Sequence, residues 1–284
     1  MGKSLDPTIV LFAKLPVPGG AKTRLGRVVG GGRAARMAAA MLIDRLRMVS
    51  EQIPDEGPEK LLCGDREVAA LFLPYLSRAL GKNLSANRMK SGQSGFPGWG
   101  WDYRSQGGGT LGERILRVLR DCRKGGCILI GSDAVGQTGA ALKAALSAQR
   151  RGRSVVQPAH DGGFTLLALP AGDPPEGWGA LADALKPTSQ SDFNSQSISW
   201  RELATALEKC GWEADFLGPE RDIDEWSDVE SLLTGCADSG KKISVMPEFL
   251  QELSNLPKDV WSVSVEMPIL RAGETAPTVP AEKE

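Results

Sequence analysis

VLFAKLPVPGGAKTRLG, residues 10–26, is the stretch on which the reading of the fold turns. With Thr8 and Ile9 it opens as TIVLFA, short, β-branched and apolar, which predicts a buried strand. It then bends through two prolines and two glycines and presents Lys14, Lys22 and Arg24 in quick succession. In an open α/β sheet, ligands bind beyond the carboxyl ends of strands, where this loop falls. Gly19 and Gly20 let the backbone approach a ligand closely. Lys14, Lys22 and Arg24 supply charge for a diphosphate, Arg24 with bidentate geometry. A helix starting near Gly32 adds its positive end. The spacing is not that of the GxxxxGK[ST] phosphate loop, and a solvated basic turn fits it equally well.

Outward from this loop, residues 33–50 read as a helix. Met37, Met41, Leu42, Leu46 and Val49 form its apolar stripe, while Arg36, Arg45 and Arg47 mostly face elsewhere. KLLC (60–63) reads as a strand and 68–80 as a helix broken at Pro74. Residues 81–109 are rich in Gly and Ser, with Trp99 and Trp101 in PGWGWDY, and read as a long loop or insertion. TLGE (110–113) has capping-box spacing, Thr110 as N-cap and Glu113 three residues on, and starts a helix over 110–122. CILI (127–130) is a buried strand closed by GSDAVG. A helix over 139–150 follows, then strands SVVQP and FTLLALP, a helix over 201–209, a strand at 214–217 and a helix over 226–233. This alternation predicts one α/β domain over 1–235, with a mainly parallel sheet and helices on both faces. Residues 236–284 form a C-terminal extension. Its stretch ISVMPEFLQELSNLPKDVWSVSVEMPIL has enough apolar residues to pack, and the last dozen residues have the composition of a disordered tail.

The whole chain sets bounds on function. It has 284 residues, 41% of them hydrophobic and 24% charged, the profile of a soluble globular protein. A formal net charge of -1 gives no global attraction to nucleic acid or anionic membrane, so any phosphate site must be local. Residues 1–7 are too short and polar for a signal peptide, and no apolar run nears the ~20 residues of a membrane span. Cys63, Cys122, Cys127, Cys210 and Cys236 are odd in number, scattered and without a CxxC pair. They argue against a disulfide framework or zinc site and for a reducing, cytoplasmic setting. A serine-hydrolase elbow, HExxH, and GxGxxG after the first strand are all missing, which weighs against hydrolase, zinc-protease and typical dehydrogenase chemistry.

Three further segments carry candidate chemistry. Asp133, just past CILI, is either a carboxylate that holds Mg²⁺ against a diphosphate or a turn-forming residue. In AHDGGF (159–164), Asp161 before two glycines is either a tight turn or a substrate-facing corner, and His160, the single histidine, is either a general-base candidate or a structural or surface residue. In RDIDEWSDVESL (221–232), Asp222 and Asp224 stand two apart, placed to reach a metal or to cap the last helix.

Taken in order, FAKLPVPGGAKTRLG, QGGGTLGERI, ILIGSDAVG, QPAHDGGFTLLAL and RDIDEWSDVESL resemble the bacterial DUF2064 family over residues 8–233. KTRL at 22–25 is also similar to the basic loop of 2-phospholactate guanylyltransferase-like proteins. The resemblance implies a GT-A-like, Rossmann-like three-layer α/β/α domain that binds a nucleotide diphosphate. It implies that Lys14, Lys22 and Arg24, with Gly19 and Gly20, hold the phosphates. Asp133 and Asp224 would be ligands of Mg²⁺ or Mn²⁺. Asp161, Gly162 and Gly163 would face acceptor or sugar, with Asp161 as candidate base and Asp133 as the other catalytic carboxylate. Glu113, in the LGER segment, is grouped with the substrate-facing residues. The chain departs from the family pattern at Ala134-Val135 (usually Cys-Pro), Thr110 (usually Asp), Phe164 (usually Tyr) and Glu225-Trp226-Ser227 (usually Thr-Pro-Glu). The expected activity is a metal-dependent transferase using a nucleotide-diphospho-sugar and an unknown acceptor. The alternatives are a nucleotidyltransferase releasing pyrophosphate and, given the departures, a non-catalytic nucleotide-binding protein.

Overall fold

The computed structural model describes residues 6–54, 57–65, 94–96, 100–186, 198–239 and 247–256. The first strand, β1 (Thr8–Ala13), lies in the middle of an eight-stranded sheet with β2 (Lys60–Gly64), β3 (Ser94–Phe96), β4 (Trp101–Ser105), β5 (Cys127–Gly131), β6 (Ser154–Pro158), β7 (Phe164–Leu169) and β8 (Ala214–Phe216). The order is β3-β4-β2-β1-β5-β7-β6-β8. β1 pairs in parallel with β2 and β5, as do β2 with β4 and β6 with β8. β3 and β7 run against their neighbours. The order reverses between β2 and β5 around β1, which opens a crevice beyond the carboxyl ends of β1 and β5.

The helices are α1 (Thr23–Val29), α2 (Gly31–Gln52), α3 (Leu111–Asp121), α4 (Gly139–Arg150), α5 (Gly179–Ala184), α6 (Trp200–Lys209), α7 (Trp226–Ser239) and α8 (Pro247–Ser254). Strand residues alternate between two cores, as period-two geometry requires. Ile9, Leu11, Ile128 and Ile130 pack with Leu42, Leu46 and Val49 of α2 and Leu142 and Ala145 of α4. Val10, Cys127 and Leu129 face Ile115 and Leu119 of α3, Leu181 of α5 and Leu203 of α6. A third cluster joins α1, α2, α7 and α8 through Leu25, Met37, Met41, Trp226, Val229, Phe249 and Leu253. Cys63, Cys122, Cys127 and Cys210 are free and buried, small apolar fillers of the second core.

Several expectations are corrected. The helix expected near Gly32 is α2, which starts at Gly31, but a further helix, α1, intervenes between it and the cationic loop. Residues 101–105 are not loop. WDYRS alternates apolar and polar, so Trp101 and Tyr103 enter the core and the segment pairs with β2, although glycines surround it. Trp101 donates its indole N–H to Ser50 Oγ at 2.9 Å, so this tryptophan is core. Arg45 does not face away. α2 is enclosed by the sheet on one side and by helices and the β5 loop on the other, and Arg45 is fully buried. Within residues 236–284, α8 packs Phe249 and Leu253 into one cluster with Met37 and Met41 of α2. The 68–80 helix, Trp99 and the terminal tail lie outside the described residues. Among the described residues no helix is long and apolar enough to cross a membrane.

Candidate functional site

The loops at the carboxyl edge enclose a cavity of about 700 Å³. Its lining includes Lys14, Lys22, Arg24, Arg114, Asp133, Asp161, Asp222 and Asp224, four cations against four carboxylates. Phe12, Met41, Leu111, Ile115, Phe164 and Ile198 add apolar wall.

The β1 loop is a tight turn in which the N–H groups of Gly20 and Ala21 donate to Val17 O. Gly19 sits at φ 72, a conformation open to glycine. Lys22 is left-handed as well, at φ 49 and ψ 48, alone among the described non-glycine residues. Its side chain turns inward. Nζ donates to Asp133 Oδ2 and to Asp224 Oδ1, each at 2.7 Å. Burial by itself would lower the Lys22 pKa, but the charges and hydrogen bonds of the two aspartates outweigh it and hold the ammonium well above its ordinary range. Lys22 in turn depresses Asp224, with Arg24 and Lys14 adding to the effect. Lys14 and Arg24 are exposed on the cavity rim.

Asp133 and Asp224 come from distant segments that the backbone stitches together. Ala134 bridges Asp222 in antiparallel fashion. The N–H of Ile223 donates to Asp133 O at 3.2 Å and that of Val135 to Arg221 O at 3.0 Å. Asp228, in the first turn of α7, reaches back along the chain, its Oδ2 accepting from the N–H groups of Asp224 and Glu225. The Asp224 carboxylate is therefore left to the site. Asp222 stands beside them. Burial, then the charges of Asp161, Asp133 and Asp224, push its carboxyl up to about 7.

Asp161 lines the cavity and steadies its own turn, accepting from Gly163 N–H at 2.7 Å. Gly162 takes φ 96. His160 is exposed and outside the lining. Of the predicted residues, the cavity brings together Lys14, Lys22, Arg24, Asp133, Asp161, Gly163 and Asp224. Gly19, Gly20, Gly162 and Glu113 lie outside the lining. Glu113 closes the capping box, its Oε2 accepting from Thr110 N–H while Thr110 Oγ1 accepts from Glu113 N–H.

Two residues not singled out from sequence complete the wall. Gln106, at the end of β4, is buried and donates through Nε2 to Ala13 O and Cys63 O, tying β4 to β1 and β2. Its Oε1 accepts from Arg114 Nη1, and Arg114 Nε donates to Thr110 O. Arg114 is thus a fixed cation facing the cavity. It follows Glu113 directly in the LGER motif, so the signal was one residue away.

Among the described residues no three His, Cys, Asp or Glu side chains form a metal-holding group. Asp133 and Asp224 nevertheless converge on one cation, the Lys22 ammonium, which stands in for such an ion. One or two carboxylates, with water and substrate phosphates, are the donor set Mg²⁺ commonly uses, and this pair fits it.

Residues 83–178 match the model of the family described as "Uncharacterized protein conserved in bacteria (DUF2064)", the family the motifs resemble. The match holds Asp133 and Asp161 and leaves Lys22 and Asp224 outside it. No curated protein matches the chain. Among solved structures, a "putative nucleotide-diphospho-sugar transferase" from Desulfovibrio desulfuricans G20 is similar with a TM-score of 0.63 at 21% identity, over 87% of this chain and 94% of that one. A nucleotidyl transferase from Methanothermobacter thermautotroptrophicus has a TM-score of 0.46 at 14% identity, over 84% and 100%. A 4-diphosphocytidyl-2C-methyl-D-erythritol synthase from Anaerococcus prevotii DSM 20548 has 0.44 at 11%, over 83% and 99%. The first of these likenesses shows the fold.

Proposed function

We propose that this protein is a transferase that takes a nucleotide-diphospho-sugar as donor and moves the sugar to a hydroxyl-bearing acceptor. The observation that carries this reading is the convergence of Asp133 and Asp224 on one cation, beside the rim cations Lys14 and Arg24, over the crevice of an α/β sheet. Lys14 and Arg24 bind the diphosphate oxygens, and Arg114 adds a third fixed positive charge in the wall. Asp133 and Asp224 would hold Mg²⁺ or Mn²⁺, which when bound supplies positive charge to the departing diphosphate. Asp161 faces the acceptor. As the acceptor oxygen bonds to the anomeric carbon, the anomeric C–O bond to the diphosphate breaks, nucleoside diphosphate leaves, and the acceptor proton passes to the Asp161 carboxylate. The apolar wall of Phe12, Phe164 and Ile198 limits water around this exchange.

Thermal unfolding against a panel of nucleoside triphosphates, diphosphates and diphospho-sugars, with and without Mg²⁺ or Mn²⁺, tests the reading. A ligand at 100 times its Kd stabilises the fold by about 2.7 kcal/mol. The expected result is a shift with a diphospho-sugar and, with acceptor present, release of free nucleoside diphosphate. Pyrophosphate release from a triphosphate would replace the reading with nucleotidyl transfer. A panel that leaves the transition unmoved would overturn both in favour of a non-catalytic role.

A further inference from the structure

The position between Asp133 and Asp224 already holds a positive charge. Lys22 Nζ lies 2.7 Å from an oxygen of each. The lysine side chain is 10% exposed, while the Asp133 and Asp224 side chains are 34% and 48% exposed. The ammonium is thus the most enclosed of the three groups, and all three line the cavity. Two carboxylates this close to a shared cation repel each other once it is removed.

The backbone is built for this inward placement. Lys22 adopts a left-handed conformation that side chains normally avoid, and it is alone in this among the described non-glycine residues. Both ends of the contact are pinned: the Gly26 N–H donates to Lys22 O at 2.8 Å, and the Leu25 N–H donates to Asp224 O at 3.2 Å. Ala21, the preceding residue, is buried at 3% exposure. Lys14 and Arg24 sit at the rim instead, so Lys22 alone of the loop's three cations has two carboxylate partners. A divalent ion drawing on the same carboxylate oxygens as the ammonium would face it at contact distance in a half-buried site, where like charges repel more than in bulk water.

We infer that Lys22 is the resident counter-ion of the Asp133–Asp224 pair and that it and a divalent cation occupy the pair in exclusion of each other, so that the metal enters after phosphate oxygens of the nucleotide draw the ammonium away. The inference rests on the proposed reading of Asp133 and Asp224 as the cation site. It sets an order: nucleotide first, metal second. The protein without nucleotide keeps its carboxylates partly neutralised and binds divalent ions weakly. Phosphate then serves as the alternative partner that frees the pair, and Lys22 changes from carboxylate ligand to phosphate ligand without leaving the cavity.

Mn²⁺ alone, titrated into the full chain and followed by the paramagnetic resonance signal of the free ion, tests this without any need for activity. Lys22→Met and Lys22→Ala should bind Mn²⁺ about tenfold more tightly than the unaltered protein or better. Adding Asp133→Asn to Lys22→Ala should abolish the gain. Equal affinity in the unaltered protein and both variants overturns the exclusion and leaves the cation site standing. No Mn²⁺ binding in any form overturns the cation site and the inference with it. Should the variants fail to fold, the unaltered protein decides. Acylation of Lys22, read by peptide mass spectrometry, should speed up as Mn²⁺ reaches saturation and displaces the ammonium. An unchanged rate at saturating Mn²⁺ means both cations fit together, and the inference fails.

Discussion

At Arg45 a guanidinium is enclosed completely, at 0% exposure, with no carboxylate in contact among the described residues. Nη1 donates to Gln137 O at 2.6 Å and Nη2 to Val135 O at 3.4 Å. These carbonyls belong to the loop that carries Asp133, so a residue on α2 fixes the reach of a cavity carboxylate. Burial lowers the Arg45 pKa to about 10, against the opposing pull of Asp44, Glu220 and Asp133. A second chain continues the clamp, since Gln137 Nε2 donates to Gln157 Oε1 and Gln157 Nε2 to Gly218 O. Arg45→Ala should lower stability by about 3 kcal/mol, because it leaves both a cavity and two carbonyls without their donors. Arg45→Met should cost less, since it fills the volume without burying a charge. Urea denaturation measures both, and equal losses in the two variants would show that the lost donors, not the lost volume, matter there.

α3 shows how an element can be fixed by its own sequence at one end and by its neighbours at the other. Thr110 and Glu113 close the capping box, a signal complete within four residues. Gly112, inside the same box, has a role that no local pattern discloses. A Cβ there would lie 1.6 Å from Leu185 O at the end of α5, so the two helices meet through the missing side chain. Gly112→Ala should therefore force α3 and α5 apart and destabilise by about 3 kcal/mol, the upper range of overpacking. Gly32, in the first turn of α2, meets nothing within 4 Å of an added Cβ. Gly32→Ala should stabilise by about 0.4–1 kcal/mol by restricting the unfolded chain. Melting temperatures of the pair should move in opposite directions.

On the scale of the molecule, the C-terminal extension completes the wall behind the site. Asp44 of α2 is 2% exposed and accepts from the N–H groups of Glu248 and Phe249, thereby capping α8 from another helix. Arg47–Glu248 and Arg36–Glu252 pairs flank it. Phe249 and Leu253 then share a core with Met41, which lines the cavity, and with Val135 beside Asp133. Burial pushes the Asp44 carboxyl up to about 6, although the two N–H groups and Arg45 favour its charged form. The folded state thus holds this proton more tightly than the unfolded chain, whose carboxyl keeps its ordinary value of 3.8. The contribution is full below 3.8 and is lost as pH rises through about 6. Over that window it amounts to about 3 kcal/mol at most. Asp44→Asn keeps an acceptor oxygen and removes the titration. The difference in stability between variant and unaltered protein should therefore change across pH 4–6 and level off above about 7. A constant difference would place the linkage elsewhere.

Local chemistry determined much of this protein. The apolar runs of β1, β5, β6 and β7, the capping box of α3 and the strand–helix alternation are each written within a few neighbouring residues, so fold class, most elements and the cationic loop were legible in the chain. The strand at 101–105 was hidden because its alternation is five residues long and set among glycines. Tertiary structure alone decided which charges meet. Lys22 and Asp224 are about two hundred positions apart, and their contact depends on the Ala134–Asp222 bridge and the left-handed turn at Lys22. The burial of Arg45, the fixing of Arg114 by Gln106 and the capping of α8 by Asp44 likewise depend on surfaces that exist only once the helices have packed. Periodicity shows which face of a helix is apolar, but the partners of a buried polar group come from segments that the sequence keeps far apart.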